Sequence, residues 1–236
     1  MAFLRQHHRL IARALENFNA DYLRANRILF GGGTRIALEL GEFRESVDID
    51  FLCPDVDAYR AVRSEVSNVS LGRLVKQDFV YPKDIRPDRD AVRCFIRIEE
   101  TAVKLEFVAC ADYPLNPSPA MPFGVPMIDR ESCFAVKFLA NADRCSMMPF
   151  KDIFDLLAMY DAWRNHWQPG LALAYSVYSE KTVSGGLEKA LSDLIRQPEK
   201  YRETAVSQLQ MDAAFCQKLI RETAPHWLAQ ISGKNG

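Results

Sequence analysis

Two acidic positions and a glycine turn carry the residue types that handle phosphate. Val47-Asp48-Ile49-Asp50-Phe51 alternates apolar and acidic residues. That is strand periodicity, which puts Asp48 and Asp50 on one face and Val47, Ile49 and Phe51 on the other. Two carboxylates so placed repel, and in apolar surroundings one would take up a proton; a divalent cation lets both stay ionised. Mg²⁺ or Mn²⁺ suits oxygen ligands, and Mg²⁺ is typically held by one or two carboxylates plus substrate phosphates. Two such ions about 3.5–4 Å apart can clamp the attacking and leaving oxygens of a phosphoryl transfer. A third carboxylate would complete the clamp. The candidate is Glu106 in Val103-Lys104-Leu105-Glu106-Phe107-Val108, where Lys104 and Glu106 share a face. The expected metal ligands are therefore Asp48, Asp50 and Glu106.

The glycine turn has a separate task. Ile28-Leu29-Phe30 is stopped by Gly31, Gly32 and Gly33, and Thr34 follows as a cap for a helix over 35–40. Glycine lets backbone approach a phosphate closely, and the N–H groups at a helix start attract anions. Thr34 adds a hydroxyl. Each element also fits a plain surface, as a solvated strand face or a simple turn. The three in this order are far more specific.

These residues need a scaffold. The pattern predicts a helix over 3–25, a strand at 28–30, the helix 35–40, the acidic strand closed by Pro54, and a helix over 58–69. Strands over 92–98 and 102–108 are joined at Glu99-Glu100-Thr101. Residues 112–126 hold Pro114, Pro117, Pro119, Pro122 and Pro126, which reads as a loop and a domain boundary. Helices are predicted at 129–145, 150–166, 171–196 (with a weak spot at Gly185-Gly186) and 210–231. The expected division is a mixed core over 1–126 and a helical domain over 127–236.

Composition narrows the partners. The 236 residues are 48% hydrophobic and 26% charged, with a net charge of −1. This is globular composition without the basic excess of a dedicated duplex-DNA binder. A local basic stretch over 60–104 includes Arg60, Arg63, Arg73, Lys76, Arg86, Arg89, Arg93 and Arg97. The six cysteines have no C-x-x-C spacing and lie far from the four histidines, so no zinc site is expected. Neither a signal peptide nor a membrane span is evident, and the cytoplasm is the expected compartment.

The stretch Phe30-Gly31-Gly32-Gly33-Thr34-Arg35-Ile36-Ala37-Leu38-Glu39-Leu40-Gly41, followed by Arg44-Glu45-Ser46-Val47-Asp48-Ile49-Asp50-Phe51, resembles the nucleotidyltransferase superfamily with the polymerase-beta-like fold. Within it the chain is similar to the AbiEii/AbiGii toxin-type branch. Phe134-Ala135-Val136-Lys137-Phe138-Leu139-Ala140 and Lys151-Asp152-Ile153-Phe154-Asp155-Leu156 look like that branch's lysine helix and Lys-Asp-x-x-Asp-Leu stretch. The resemblance covers residues 28–160 in outline. It implies an α+β fold, a nucleotidyltransferase-type mixed sheet with flanking helices followed by a C-terminal helical bundle. It implies that Gly32, Gly33, Thr34, Ser46 and Lys137 surround the nucleotide, that Lys137 contacts the triphosphate, and that Asp152 lies near the site. The catalytic set it implies is Asp48, Asp50, Glu106, Lys137 and Asp152. A structural reading stands beside it: Asp152 opens a helix, where acids favour the dipole, and Lys137 can snorkel from a partly buried helix. Arg35 and Arg44 are candidate phosphate contacts, or local partners of Glu39 and Glu45.

The expected reaction moves a nucleoside monophosphate from an NTP to an acceptor hydroxyl, with pyrophosphate leaving. The resemblance suggests RNA, for example a tRNA end, as acceptor and an antitoxin protein as partner. Nucleotidyl transfer to a protein or small molecule is the alternative reading, and a non-catalytic binding module of the same fold is another. A metal phosphohydrolase would use histidine and further aspartate ligands; His7, His8, His166 and His226 all lie outside the motif.

Overall fold

A computed structural model of the chain describes residues 3–110 and 113–233. Asp112, where the predicted proline-rich loop begins, lies outside them, as do the first two residues of the segment read for a signal peptide. Met1–Leu38 with Ser46–Asp129 forms one unit, and Glu39–Glu45 with Arg130–Gly236 forms a second.

The first unit is built on a five-stranded mixed sheet. Its strands are β1 (Leu29–Gly31), β2 (Asp48–Cys53), β3 (Arg86–Pro87), β4 (Ala91–Ile98) and β5 (Thr101–Ala109), in the spatial order β1-β2-β5-β4-β3. β2 and β5 run parallel and the other neighbours antiparallel. The alternation of side chains sorts the two faces. Ile49 and Phe51, Val103, Leu105 and Phe107, and Val92, Cys94 and Ile96 are buried on one side. There Phe51 stacks on Phe107 with ring centroids 5.2 Å apart, and Phe18 sits 4.7 Å from Phe51. Asp48, Asp50, Lys104, Glu106, Arg93, Phe95 and Arg97 take the opposite face.

The predicted helix over 3–25 is two helices, α1 (Gln6–Glu16) and α2 (Ala20–Ala25). Asn17 and Asn19 divide it, because their side chains compete with the helical backbone. The Asn19 side chain accepts from the Tyr22 N–H, and its own N–H donates to the Leu74 carbonyl. Phe18, between them, turns into the core. α3 (Gly32–Glu39) begins at the glycine turn itself, two residues before the predicted cap Thr34. α4 (Val56–Glu65) starts on an Asp55 cap and stops short of the predicted residue 69.

The second unit is helical throughout: α5 (Arg130–Arg144), α6 (Lys151–Ala162), α7 (Trp167–Tyr175), α8 (Glu180–Arg196), α9 (Pro198–Gln208), α10 (Ala213–Lys218) and α11 (Ala224–Ser232), with a π-helical turn at Leu219–Thr223. The predicted helix over 171–196 breaks at Ser176–Ser179, where the Ser179 hydroxyl caps α8 by accepting from the Thr182 N–H. Gly185-Gly186, predicted as its weak spot, is intact α8. The glycine serves packing: a Cβ at Gly186 would lie 2.9 Å from the Ala142 Cα, so this residue lets α8 lie close on α5. α9 falls between the predicted helices over 171–196 and 210–231, and Pro198 at its first turn suits a helix start. Among the described residues no helix is long and apolar enough to cross a membrane. None of the six cysteines is in a disulfide, and burial pushes the Cys94 and Cys110 thiols up to about 12, which keeps them protonated.

The two adjacent glycines give a paired expectation. Nothing lies within 4 Å of a Cβ at Gly185. Gly185→Ala should therefore raise stability by up to about 1 kcal/mol through helix propensity. Gly186→Ala should lower it by about 1–3 kcal/mol through overpacking against Ala142. Urea unfolding midpoints at constant slope measure both.

Candidate active site

In the first unit the chain leaves β1 at Gly31, turns at Gly32 with φ of +69°, and enters α3. Gly31 is in register with Asp50 on β2, so the turn lies at the acidic strand. A Cβ at Gly32 would fall 2.1 Å from Asp50 Oδ2 and 2.9 Å from its Cγ. The Asp50 carboxylate thus occupies the space that any side chain at Gly32 would need. Glycine is required here twice over, for the left-handed backbone and for the close approach.

Thr34 and Ser46 fix the start of the acidic strand. The Thr34 hydroxyl donates to the Asp48 carbonyl and lies 2.8 Å from Ser46 Oγ. Thr34 is buried. Its hydroxyl binds the strand that carries the aspartates. The Ser46 N–H in turn donates to Nε2 of buried His8, 3.1 Å away. His8 lies outside the sequence motif. Its spacing from Ile11 and Leu15 on α1 places it on the apolar stripe, and that is the signal that it is buried.

Asp48 and Asp50 are both half-buried on the open sheet face. Across the parallel strand, Asp48 is in register with Lys104 and Asp50 with Glu106. Glu106 is already held by two cations: Arg93 Nε donates to Oε1 at 2.9 Å and Lys104 Nζ to Oε2 at 2.5 Å. Burial alone would lower the Lys104 pKa, but its hydrogen bond to Glu106 and the charges of Glu106, Asp48 and Asp50 hold it above the usual lysine range. Among the described residues no three His, Cys, Asp or Glu side chains form a group that could hold a metal ion. The structure brings Asp48 and Asp50 to one face and gives Glu106 to Lys104 and Arg93. Two carboxylates beside a glycine cradle still suit Mg²⁺, which completes its shell with water and substrate phosphate.

The lysine and aspartate of the second block lie in the second unit, in one buried network. Lys137 on α5 reaches Asp152 Oδ1 at 2.9 Å and Asp155 Oδ2 at 2.6 Å, both on α6. Arg44 grips both oxygens of Asp155 at 2.6 and 2.9 Å, and Arg144 grips both oxygens of Asp152 at 2.5 and 3.1 Å. Arg44 also donates to the Glu45 carbonyl. Its carboxylate partner is thus Asp155, 111 residues away, where local pairing was one expectation. Arg35, the other arginine singled out, is buried. Burial would raise the Asp152 pKa, but Lys137 and Arg144 overcome it and hold the carboxyl well below the usual range. Burial would likewise lower Lys137, and Asp155 and Asp152 reverse it, so that its ammonium is held above the ordinary value. Lys151, at the start of α6, differs. Burial and then the charges of Lys137 and Arg144 push its pKa down. Among the described residues it makes no ion pair. The sequence marked Lys151 only as part of a motif.

The network has a pH signature. The depressed Asp152 contributes stability that is present above its unfolded value near 4 and is lost as pH falls through the lower folded value. The raised Lys137 contributes stability that is present below about 10.4 and is lost as pH rises through the higher folded value. Stability of this unit should therefore be flat between, falling at both extremes. Asp155→Asn leaves Arg44 and Lys137 short of a counter-charge and should cost about 3–5 kcal/mol at neutral pH. Urea unfolding across pH measures both effects.

Comparisons with known proteins bear on the whole chain. The family model for the nucleotidyl transferase AbiEii toxin of type IV toxin–antitoxin systems matches residues 13–230. A candidate nucleotidyltransferase from H. pylori of known structure is 18% identical, with a TM-score of 0.57, over 96% of this chain and 95% of its own. JHP933 from Helicobacter pylori is also 18% identical, with a TM-score of 0.56, over 99% and 97%. At this identity the likeness is one of fold. No curated protein matches the sequence. A family match over nearly the full length, on a chain whose glycine turn and paired aspartates meet in register, identifies this nucleotidyltransferase as a member of the AbiEii toxin family of type IV toxin–antitoxin systems.

Proposed function

We propose that the protein transfers a nucleoside monophosphate from an NTP to an acceptor hydroxyl on RNA, such as a tRNA end, and is restrained in the cell by a separate antitoxin protein. The observation that carries the reading is the seating of Asp50 over Gly32, with Asp48 beside it on the same open face. Asp48 and Asp50 would hold Mg²⁺ or Mn²⁺, which when bound supplies charge neutralisation to the phosphates and to the attacking oxygen. The backbone at Gly32 and Gly33, at the start of α3, receives the nucleotide's phosphates. Thr34 and Ser46 keep β2 in place behind them. Glu106 becomes a third ligand only by exchanging Lys104 and Arg93 for the cation; otherwise it orients those two side chains. A triphosphate role for Lys137 and Asp152 is what the family resemblance implies. In their unit Lys137 is held rigidly between two aspartates, and Lys151, next to Asp152, has charge free for an anion.

The test is incubation of the purified protein with Mg²⁺, each alpha-labelled NTP in turn, and total cellular RNA and protein. Label is expected on RNA, with pyrophosphate released. Asp48→Ala should abolish transfer while leaving unfolding within about 0.5 kcal/mol of wild type. Gly32→Ala should cut the rate by about a hundredfold or more, because it displaces Asp50. Label on protein instead of RNA would move the acceptor to the alternative class. Transfer that survives Asp48→Ala would remove the aspartates from the reaction.

A further inference from the structure

The open sheet face continues past the aspartates. Register runs Asp48–Lys104–Phe95 across β2, β5 and β4, and Asp50–Glu106–Arg93–Arg86 beside it out to β3. Phe95 is a large apolar side chain 39% exposed, and Val80, bridged to Arg97, is 64% exposed. Arg93, Phe95 and Arg97 point away from the core, as the alternating burial of β4 requires. Lys83 lies 5.8 Å from the Phe95 ring centroid. Arg93 is engaged by Asp88 and Glu106, and Lys104 by Glu106. Among the described residues Lys83, Arg86 and Arg97 make no ion pair. The face therefore carries an exposed aromatic ring with the Lys83 ammonium over it and two further cations, Arg86 and Arg97, that make no ion pair among the described residues, in line with the acidic pair.

Such a face has a chemical match. Base rings stack on aromatic side chains whatever their sequence, and cations spaced along the same surface meet the phosphates. A base must be unpaired to stack in this way. The distance from Asp48 to Phe95 is two strand spacings, about 10 Å, or roughly three nucleotides at stacked rise. We propose that the β4–β3 side of this sheet is the docking surface for the single-stranded end of the acceptor RNA, with a base stacked on Phe95 and phosphates met by Arg97, Arg86 and Lys83, so that the terminal hydroxyl lies at Asp48 and Asp50. This rests on the RNA-acceptor reading above. Net charge gives no hint of it, because the patch is local: Lys83, Arg86, Arg89, Arg93 and Arg97 stand against Asp84, Asp88 and Asp90 in residues 80–98. Asp88 is committed to Arg93 and to the backbone of Asp90 and Ala91.

The test uses a fluorescein-labelled, unstructured twelve-nucleotide RNA, alone or annealed to its complement, with binding read by anisotropy across salt. Wild type should prefer the single strand. Phe95→Ala should weaken that binding about tenfold. Arg97→Ala should lower the slope of log K against log salt by about 0.7, one single-strand phosphate contact. Both side chains are exposed, and Arg97→Glu provides a second variant whose folding is checked by its thermal midpoint. Unchanged affinity in these variants, or equal affinity for the duplex, overturns the proposal. The transfer assay separates the two readings. If label reaches RNA with the same KM in Phe95→Ala, transfer stands and the docking face falls. If the single strand binds through Phe95 and no label reaches RNA, the face stands and the RNA-transfer reading falls.

Discussion

Asp48 and Asp50 leave the same side of β2 about 7 Å apart along the strand, and their charges repel by about 2 kcal/mol at the effective dielectric of a protein surface. The first unit is arranged around that repulsion. Gly32 gives up a side chain so that one carboxylate can lie over the turn. Thr34 and Ser46 hold the strand from behind. Lys104, in register with Asp48, feels both aspartates as well as Glu106. The apolar side of the same strand, Ile49 and Phe51, is buried in an aromatic core, so the pair cannot turn away from each other without exposing it.

The second unit answers a similar problem in the opposite way. Where the acidic strand keeps its carboxylates at the surface, Asp152 and Asp155 are sunk between α5 and α6 and neutralised by protein cations. Burying four charges, Arg44, Lys137, Asp152 and Asp155, costs desolvation that close pairing offsets, with exposed Arg144 gripping Asp152 from the rim. The result is a fixed frame, with Lys151 at its edge as the cation whose neighbours are mostly of its own sign.

Much of this was legible in order along the chain. The glycine stop, the acidic alternation and the β4–β5 hairpin follow from periods of two and from residues that break structure. What stayed hidden depends on which strands and helices meet. Glu106 reads as a candidate third ligand, and its ion pair with Arg93 depends on the pairing of β4 with β5. Arg44 pairs with a residue 111 positions on. Gly185-Gly186 reads as a weak spot because propensity is local, whereas Gly186 fits a close neighbour on another helix. The break after Tyr175 does carry a local signal, the capping Ser179. The division into units also departs from simple sequence order, since Glu39–Glu45 groups with the helices that begin at Arg130.

That interleaving has a consequence in time. Arg44 emerges from the ribosome long before Asp155, and at about 5–20 residues per second the delay is on the order of 5–20 s. Through that interval the segment that will complete the helical unit has no partner to close on, while β2 to β5 are synthesised in turn and the last of them ends at Ala109, ahead of Asp155. The helical unit cannot finish its buried charge network until α6 has been synthesised. Birth order thus lets the acidic strand and its glycine cradle be assembled first, and leaves the second unit as the later, conditional step in making a working toxin.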